Sequence, residues 1–189
     1  KWQIFGESLP VPQTDWYQWS VTRFGGNITP DITGPQNLTK PSSRTAPYFL
    51  SGDFTTTGTW TIPAGEKLTL VVNGNMTVAS PIAVGANGFF AMIVKGNITI
   101  DPRVGVIEGV YITSPTGTIS TGLSTNPGTE QLVARGVFGG GIISLERNLS
   151  SLGANATTPS EVFTYEPSFL MSMPEALKDM PISWEEVAP

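Results

Sequence analysis

The sequence predicts an all-β fold, a parallel β-helix (β-solenoid) of about five to six coils. Three observations lead to this prediction. A glycine corner recurs at a nearly constant interval, the segments between corners are short and rich in Thr, Val and Ile, and helix signals are sparse before residue 174. We therefore expect stacked β-coils, preceded by an irregular aromatic cap and followed by a short C-terminal helix.

The corner motif appears as VVNGNMTV in residues 71–78 and as IVKGNITI in residues 93–100. Glycine supplies the positive φ that a tight corner needs, and a period near 20 is typical of solenoids whose coils bury their faces against one another. The strong copies lie at intervals of 22, 22 and 21 residues, with a weaker copy 19 residues later and an outlying copy 26 residues earlier: Gly52, Gly74, Gly96 and Gly117, then Gly136, and Gly26.

Stacking of these corners predicts two columns of side chains. One is a ladder of polar residues directly after the glycines, formed by Asp53, Asn75 and Asn97. The other is an apolar column inside the solenoid, formed by Phe54, Met76, Ile98 and Ile119. Oxygen atoms of the ladder suit calcium, but two of its three members are neutral amides, so a structural ladder is favoured and no cofactor is expected.

Three regions are predicted along the chain. Residues 1–45 form an N-terminal arm or cap, residues 46–145 form the β-solenoid coils, and residues 146–189 form a C-terminal cap. The ends need cover because an open coil leaves strand edges unpaired. In the C-terminal cap, Pro174 suits the first turn of a short helix and Pro181 ends it.

Composition excludes several functional classes. The net charge of −5 and the scattered lysines and arginines argue against nucleic acid as a partner. The chain has no cysteine and no histidine, which excludes thiolate chemistry and the commonest general base. No apolar run approaches the roughly 20 residues of a membrane span. The chain opens on Lys1 and reads as a processed piece of a longer protein.

The acidic and basic residues offer one local group with catalytic character. Asp101, Arg103 and Glu108 lie close together between two coils, in the manner of a polysaccharide-active β-helix. A solvated loop is the more probable interpretation of three such residues on the sequence alone. No catalytic residue and no metal ligand is therefore predicted.

Two other groups of residues suggest carbohydrate. Six Asn-x-Ser/Thr sequons occur, but those at Asn27, Asn75 and Asn97 belong to the repeat itself. The better candidates for glycan attachment lie in expected loops, at Asn37, Asn148 and Asn155. A sugar-stacking platform is also conceivable from the N-terminal aromatic residues Trp16, Tyr17 and Trp19, although packing in the cap is favoured for them.

The run from VVNGNMTV through GFFAMIVKGNITI to the closing WEEVAP, residues 184–189, resembles a family of C-terminal domains of large predicted bacterial surface or secreted proteins. Some members of that family are associated with pilin-like or pilus-assembly sequences. The resemblance covers roughly residues 45–189. It implies an envelope or extracellular setting and a non-enzymatic role, and it brings no catalytic residue with it.

These observations predict a non-enzymatic extracellular or cell-surface subunit with a structural or adhesive role, able to self-assemble into a filament or envelope layer. Strand edges at the solenoid ends suit pairing with further copies or with other surface proteins. The alternative is a carbohydrate-binding module that takes a polysaccharide. A polysaccharide-active enzyme is the least favoured interpretation.

Overall fold

A computed structural model describes residues 15–26, 28–122, 130–149 and 157–178. The strands are β1 (Ile32–Thr33), β2 (Gln36–Thr39), β3 (Tyr48–Ser51), β4 (Phe54–Thr57), β5 (Trp60–Ile62), β6 (Lys67–Asn73), β7 (Met76–Val78), β8 (Ile82–Val84), β9 (Phe89–Val94), β10 (Ile98–Ile100), β11 (Val106–Thr113), β12 (Thr118–Ser120), β13 (Leu132–Gly139), β14 (Ile142–Ser144) and β15 (Glu161–Tyr165). The helices are α1 (Trp16–Arg23), α2 (Ser168–Met171) and α3 (Glu175–Lys178).

The strands stack as a parallel β-solenoid of about five turns, which confirms the predicted fold. One six-stranded sheet runs in the order β14-β12-β10-β7-β4-β2 and forms one side of the stack. A nine-stranded sheet contains the path β1-β3-β6-β9-β11-β13-β15, with β5 and β8 joined beside it. Every strand pair is parallel, as expected when each coil repeats the course of the one before.

The predicted apolar column lies inside the stack. Phe54 pairs with Met76, Met76 with Ile98, and Ile98 with Ile119. All four side chains are buried in one cluster that also holds the inward-facing residues of the larger sheet. Alternation along the strands places every second side chain in this interior, which is why the Thr- and Val-rich segments read as half-buried strands.

The glycine corners stack as predicted in the middle of the chain but not at its ends. Ile142 pairs with Thr118, so the last copy of the corner is at Gly141 and not at Gly136. Gly136 instead pairs with Gly109, at a different corner where β13 and β11 bend from one side of the solenoid to the next. Both bend glycines have positive φ, of 143° and 131°.

Among the repeated corners Gly52 also has a positive φ, of 114°, but Gly74, Gly96 and Gly117 do not, so the expectation of a positive φ at each corner was wrong. Glycine is needed at these three positions because an added Cβ would meet the carbonyl oxygen of the preceding corner glycine.

The first corner was also predicted at the wrong glycine. Gly34 lies against Gly52, where a Cβ added to Gly52 would be 2.9 Å from the carbonyl carbon of Gly34. Gly26 lies in the turn after α1, where its N–H donates to the carbonyl of Val21 over 2.8 Å. Its positive φ of 71° ends a helix and does not form a solenoid corner.

The sequence predicts no helix in the N-terminal region, and the structure places α1 there. Asp15 caps the helix, because its Oδ1 accepts a hydrogen bond of 3.0 Å from the N–H of Gln18. The helix packs on the outer side of the larger sheet, where Phe24 meets Phe49 edge-to-face at 5.9 Å. A second, smaller apolar cluster therefore lies outside the solenoid, between the sheet and the helices.

The paired strands extend beyond the predicted range 46–145 at both ends. β1 and β2 form part of the first coil, and β15 follows the last strand of the smaller sheet. After Pro174 a short helix is present, α3, as the proline predicted. Pro181 and the closing WEEVAP lie outside the described residues.

Candidate functional site

The polar ladder exists and bonds to the backbone. Oδ1 of Asp53 accepts hydrogen bonds from the backbone N–H of Asn75 at 2.8 Å and from its Nδ2 at 3.0 Å. Oδ1 of Asn75 accepts from the N–H of Asn97 at 2.9 Å, and Oδ1 of Asn97 accepts from the N–H of Thr118 at 2.9 Å. Each side chain thus satisfies a backbone donor of the following coil, which ties the corners together.

This arrangement gives the ladder a structural use for its oxygen atoms. Calcium takes six to eight oxygen ligands, and Asp53 supplies the single carboxylate of the ladder. Within the described parts of the chain, no group of three or more His, Cys, Asp or Glu side chains is placed to hold a metal ion.

The three charged residues proposed from the sequence are divided between two ion pairs. Nε and Nη2 of Arg103 donate to the carboxylate of Asp101 at 2.9 and 2.8 Å. Glu108 instead pairs with Nη1 of Arg135 at 3.0 Å, and the other guanidinium nitrogen of Arg135 pairs with Glu166 at 3.1 Å. Hydrogen bonds from Arg103 hold the pKa of the Asp101 carboxyl below its ordinary value, against the effect of burial.

Hydrogen bonds also hold the Glu166 carboxyl in its ionised form. The side chain and backbone of Ser168 lower the pKa of Glu166, and Arg135 adds to that effect. The second carboxylate oxygen of Glu108 accepts a hydrogen bond of 2.8 Å from the N–H of Val84. A general acid needs a raised pKa near the working pH, and the pKa values of Asp101 and Glu166 are lowered instead. The hydrogen bonds of Glu108 to Val84 and Arg135 join neighbouring coils.

Arg147 is a buried cation at the last coil that was not predicted from the sequence. Its guanidinium donates to three backbone carbonyls, those of Thr121 at 2.7 Å, Asp101 at 3.0 Å and Glu130 at 3.1 Å. The backbone N–H of Arg147 donates to a carboxylate oxygen of Glu161 at 3.0 Å. Burial lowers the pKa of Arg147 from its very high ordinary value, and nearby carboxylates oppose that change. The residue closes the corner of the final coil.

The three candidate sugar-stacking residues lie on α1. Trp16 and Trp19 meet edge-to-face with their centroids 5.6 Å apart, and both line a groove on the outer side of the larger sheet. Tyr17 is not among the residues that line this groove, and Nζ of Lys95 lies 5.7 Å from the centroid of its ring. The three rings therefore do not form one flat platform, and the preferred packing role is consistent with their half-buried side chains.

The asparagines of the six sequons differ in exposure and in the hydrogen bonds of their side chains. Asn37 is exposed on β2 and Asn148 is exposed after β14, whereas Asn155 and Asn27 lie outside the described residues. Nδ2 of Asn75, the atom to which a glycan would be attached, already donates to Asp53. Asn37 and Asn148 are therefore accessible candidates for glycan attachment, and Asn97 of the ladder is exposed as well.

The last coil leaves the interior of the solenoid open among the described residues. Ile143 continues the apolar column above Ile119, and Phe163 continues a second column above Ala134. Their partners below are fully buried, but Ile143 is 44% exposed and Phe163 is 37% exposed. β14 and β15 are the outermost strands of their sheets, so each has one unpaired edge in the described structure. This surface, formed by β14 and β15, is called the open end below.

Comparison of the chain with protein-family models, with curated proteins and with solved structures finds no match. None of the helices in the described ranges combines the length and the hydropathy that a membrane crossing requires.

Proposed function

We propose that this protein is a non-enzymatic, extracellular or cell-surface structural subunit that associates with further copies through the open end of its solenoid. The observation that carries the proposal is the exposure of interior residues on two outermost strands. Ile143 and Phe163 occupy positions that are fully buried in the preceding coils, and the exposed apolar side chains around them are Ile142, Leu145 and Tyr165. A surface of this kind is completed when another chain covers it.

Pairing of strand edges supplies the geometry of association. The free edges of β14 and β15 present backbone N–H and C=O groups that another strand can bond, as in β-strand addition. Natural proteins protect isolated edges with lysine, proline or bulges, and neither lysine nor proline occurs in β14 or β15. The open end is therefore suited to joining subunits.

The residues that would be needed for catalysis have other partners. Asp101 and Glu108 each bind a different arginine, and the chain has neither histidine nor cysteine. The exposed sequons at Asn37 and Asn148 and the resemblance to surface-protein domains support an extracellular setting. A polysaccharide role receives less support, because the groove beside Trp16 and Trp19 contains no charged side chain among its described lining residues.

Size-exclusion chromatography with light scattering, followed by electron microscopy of the same fractions, tests the proposal. The wild-type chain is expected to form dimers, larger oligomers or filaments whose population rises with concentration. Ile142→Lys places a charge beside the free edge of β14, where the side chain is 61% exposed, and is expected to shift the protein to monomer.

Asn73→Lys is the matched control, because Asn73 is exposed at the end of β6, a strand that pairs with neighbours on both sides. It is expected to leave association unchanged, and circular dichroism should show that both variants keep the β-rich fold. A wild-type chain that stays monomeric at high concentration refutes the proposal. Equal association of the two variants would place the contact on another surface.

A further inference from the structure

A groove on the outer side of the larger sheet is the best-formed apolar cavity in the described structure. Its floor consists of outward-facing residues of β9, β11 and β13, in two rows that follow the strand register: Ala91, Val110 and Val137 in one, Ile93, Ile112 and Gly139 in the other. Trp16 and Trp19 of α1 form part of the wall, together with Leu170 of α2 and Leu177 of α3. This lateral groove has a volume of about 350 Å³.

The chemistry of the lining selects the kind of group that can enter. Among the described residues that line the groove there is no charged side chain, and Thr113 contributes the single hydroxyl. A sugar or an extended peptide would bury hydroxyl, N–H or C=O groups without partners, at a cost of roughly 1–3 kcal/mol for each group. An alkyl chain carries no polar group, so it can be buried here without that cost.

The size of the lateral groove further limits which ligands can bind in it. Its volume lies at the lower end of the roughly 300–1,000 Å³ of small-molecule pockets. The floor crosses three neighbouring strands about 4.8 Å apart, which gives a run of roughly 10 Å. A run of that length suits a single alkyl chain laid across the strands.

We propose that the lateral groove binds the alkyl chain of a free amphiphile such as a medium-chain fatty acid. At one end of the floor the absence of a side chain at Gly139 leaves the groove open, since a Cβ built there would meet nothing within 4 Å. The rings of Trp16 and Trp19 lie along the wall, where they would contact the bound chain. This site is separate from the open end and does not depend on self-association.

Tryptophan quenching by bromine-labelled dodecanoate, kept below its micelle concentration, tests the site. The label is expected to quench a saturable part of the emission, and the double variant Trp16→Phe, Trp19→Phe is expected to lose most of that quenching. Trp60 is fully buried inside the solenoid and serves as the internal reference that the label does not reach. Unlabelled dodecanoate should reverse the quenching. Absence of saturable quenching, or equal quenching in the double variant, overturns the proposal.

A blocking variant gives an independent measurement with N-phenyl-1-naphthylamine as a fluorescent probe. Gly139→Leu points a side chain into the groove without a backbone clash and is expected to weaken probe binding by about tenfold or more. The matched control is Gly105→Leu, whose Cβ would meet only the carbonyl oxygen of Gln131 at 3.6 Å, outside the groove. Equal affinity of the two variants overturns the proposal.

A flotation assay with phosphatidylcholine–phosphatidylglycerol vesicles separates a free amphiphile from a membrane as the source of the chain. We expect the protein to remain in solution while it binds monomeric dodecanoate. Binding to vesicles without binding to the monomeric fatty acid overturns the proposal in favour of a membrane surface. Ile142→Lys should bind dodecanoate as well as the wild-type chain, so a failure of self-association and a failure of this site are distinguishable.

Discussion

Replacement of Arg147 by methionine tests how the last coil is held closed. Arg147 is 4% exposed, and its guanidinium donates to the backbone carbonyls of Thr121, Asp101 and Glu130. Methionine keeps an unbranched apolar stem of similar reach but donates no hydrogen bond. The substitution therefore removes the bonds while it preserves much of the packing.

The expected cost follows from the three carbonyls that lose their donor. Glu130 is exposed, so water can replace the lost bond at its carbonyl, and the carbonyl of Asp101 keeps the N–H of Val104 as a donor at 2.9 Å. Thr121 is fully buried, and a buried acceptor without a partner costs about 1–3 kcal/mol, so we take about 2 kcal/mol for its carbonyl. For a chain of this length, 1 kcal/mol corresponds to roughly 2–4 °C, so the melting temperature should fall by about 4–8 °C.

Thermal unfolding followed by circular dichroism measures this change. Arg103→Met is the matched control, since Arg103 also binds Asp101 but its side chain is 80% exposed, so solvent weakens the pair and its loss should change the melting temperature much less. Arg147→Lys keeps the charge but not the fork of donors, and should fall between the wild type and Arg147→Met. A fall of less than about 2 °C for Arg147→Met, or an equal fall for Arg103→Met, would refute the reasoning.

Three further predictions concern the corners and one ion pair. Gly74→Ala should destabilise the chain by about 1–3 kcal/mol in urea unfolding, because the added Cβ would clash with the carbonyl oxygen of Gly52. Gly139→Ala, whose Cβ would meet nothing within 4 Å, should be nearly neutral. Asn75→Ala removes the acceptor of the next coil's backbone N–H and should cost about 1 kcal/mol, and an unchanged urea midpoint would contradict the ladder's role. Asp101 has a lowered pKa in the folded chain, chiefly through Arg103, so its stabilising effect is present above its ordinary pKa and is lost as the pH falls through the lowered one. The stability deficit of Asp101→Asn at pH 7 should therefore shrink as the pH falls below about 4, the ordinary pKa of an Asp carboxyl, and a constant deficit would contradict this assignment.

The corners illustrate where a sequence repeat is sufficient and where it misleads. Gly52, Gly74 and Gly96 were assigned correctly because the same close approach of stacked backbones recurs at the same spacing. At the ends the motif alone could not separate a solenoid corner from other sites that need glycine. Gly136 lies at a bend between two sides, and Gly26 ends a helix. Only the pairing of strands distinguishes these cases.

Other features had a sequence signal that was available. Asp15 followed by Gln18 is a capping-box pattern, and it indicates the helix that begins at Trp16. The segment Phe89–Val94 is apolar at every position, which indicates a strand covered on both faces. Together these two signals predict that a helix covers the outer side of the sheet, although not which helix.

The sequence by itself determined the class of fold, the period of its coils, the polar ladder and the interior column, because each depends on local conformation repeated at a constant interval. The tertiary structure alone decided the lateral groove and the contacts of Arg147. The lateral groove joins residues near position 16, near positions 91–139 and near position 170, and Arg147 binds backbone carbonyls that any residue type would carry. Contacts between distant segments, and contacts to the backbone, leave no periodic mark in a sequence, since their partners are chosen by packing.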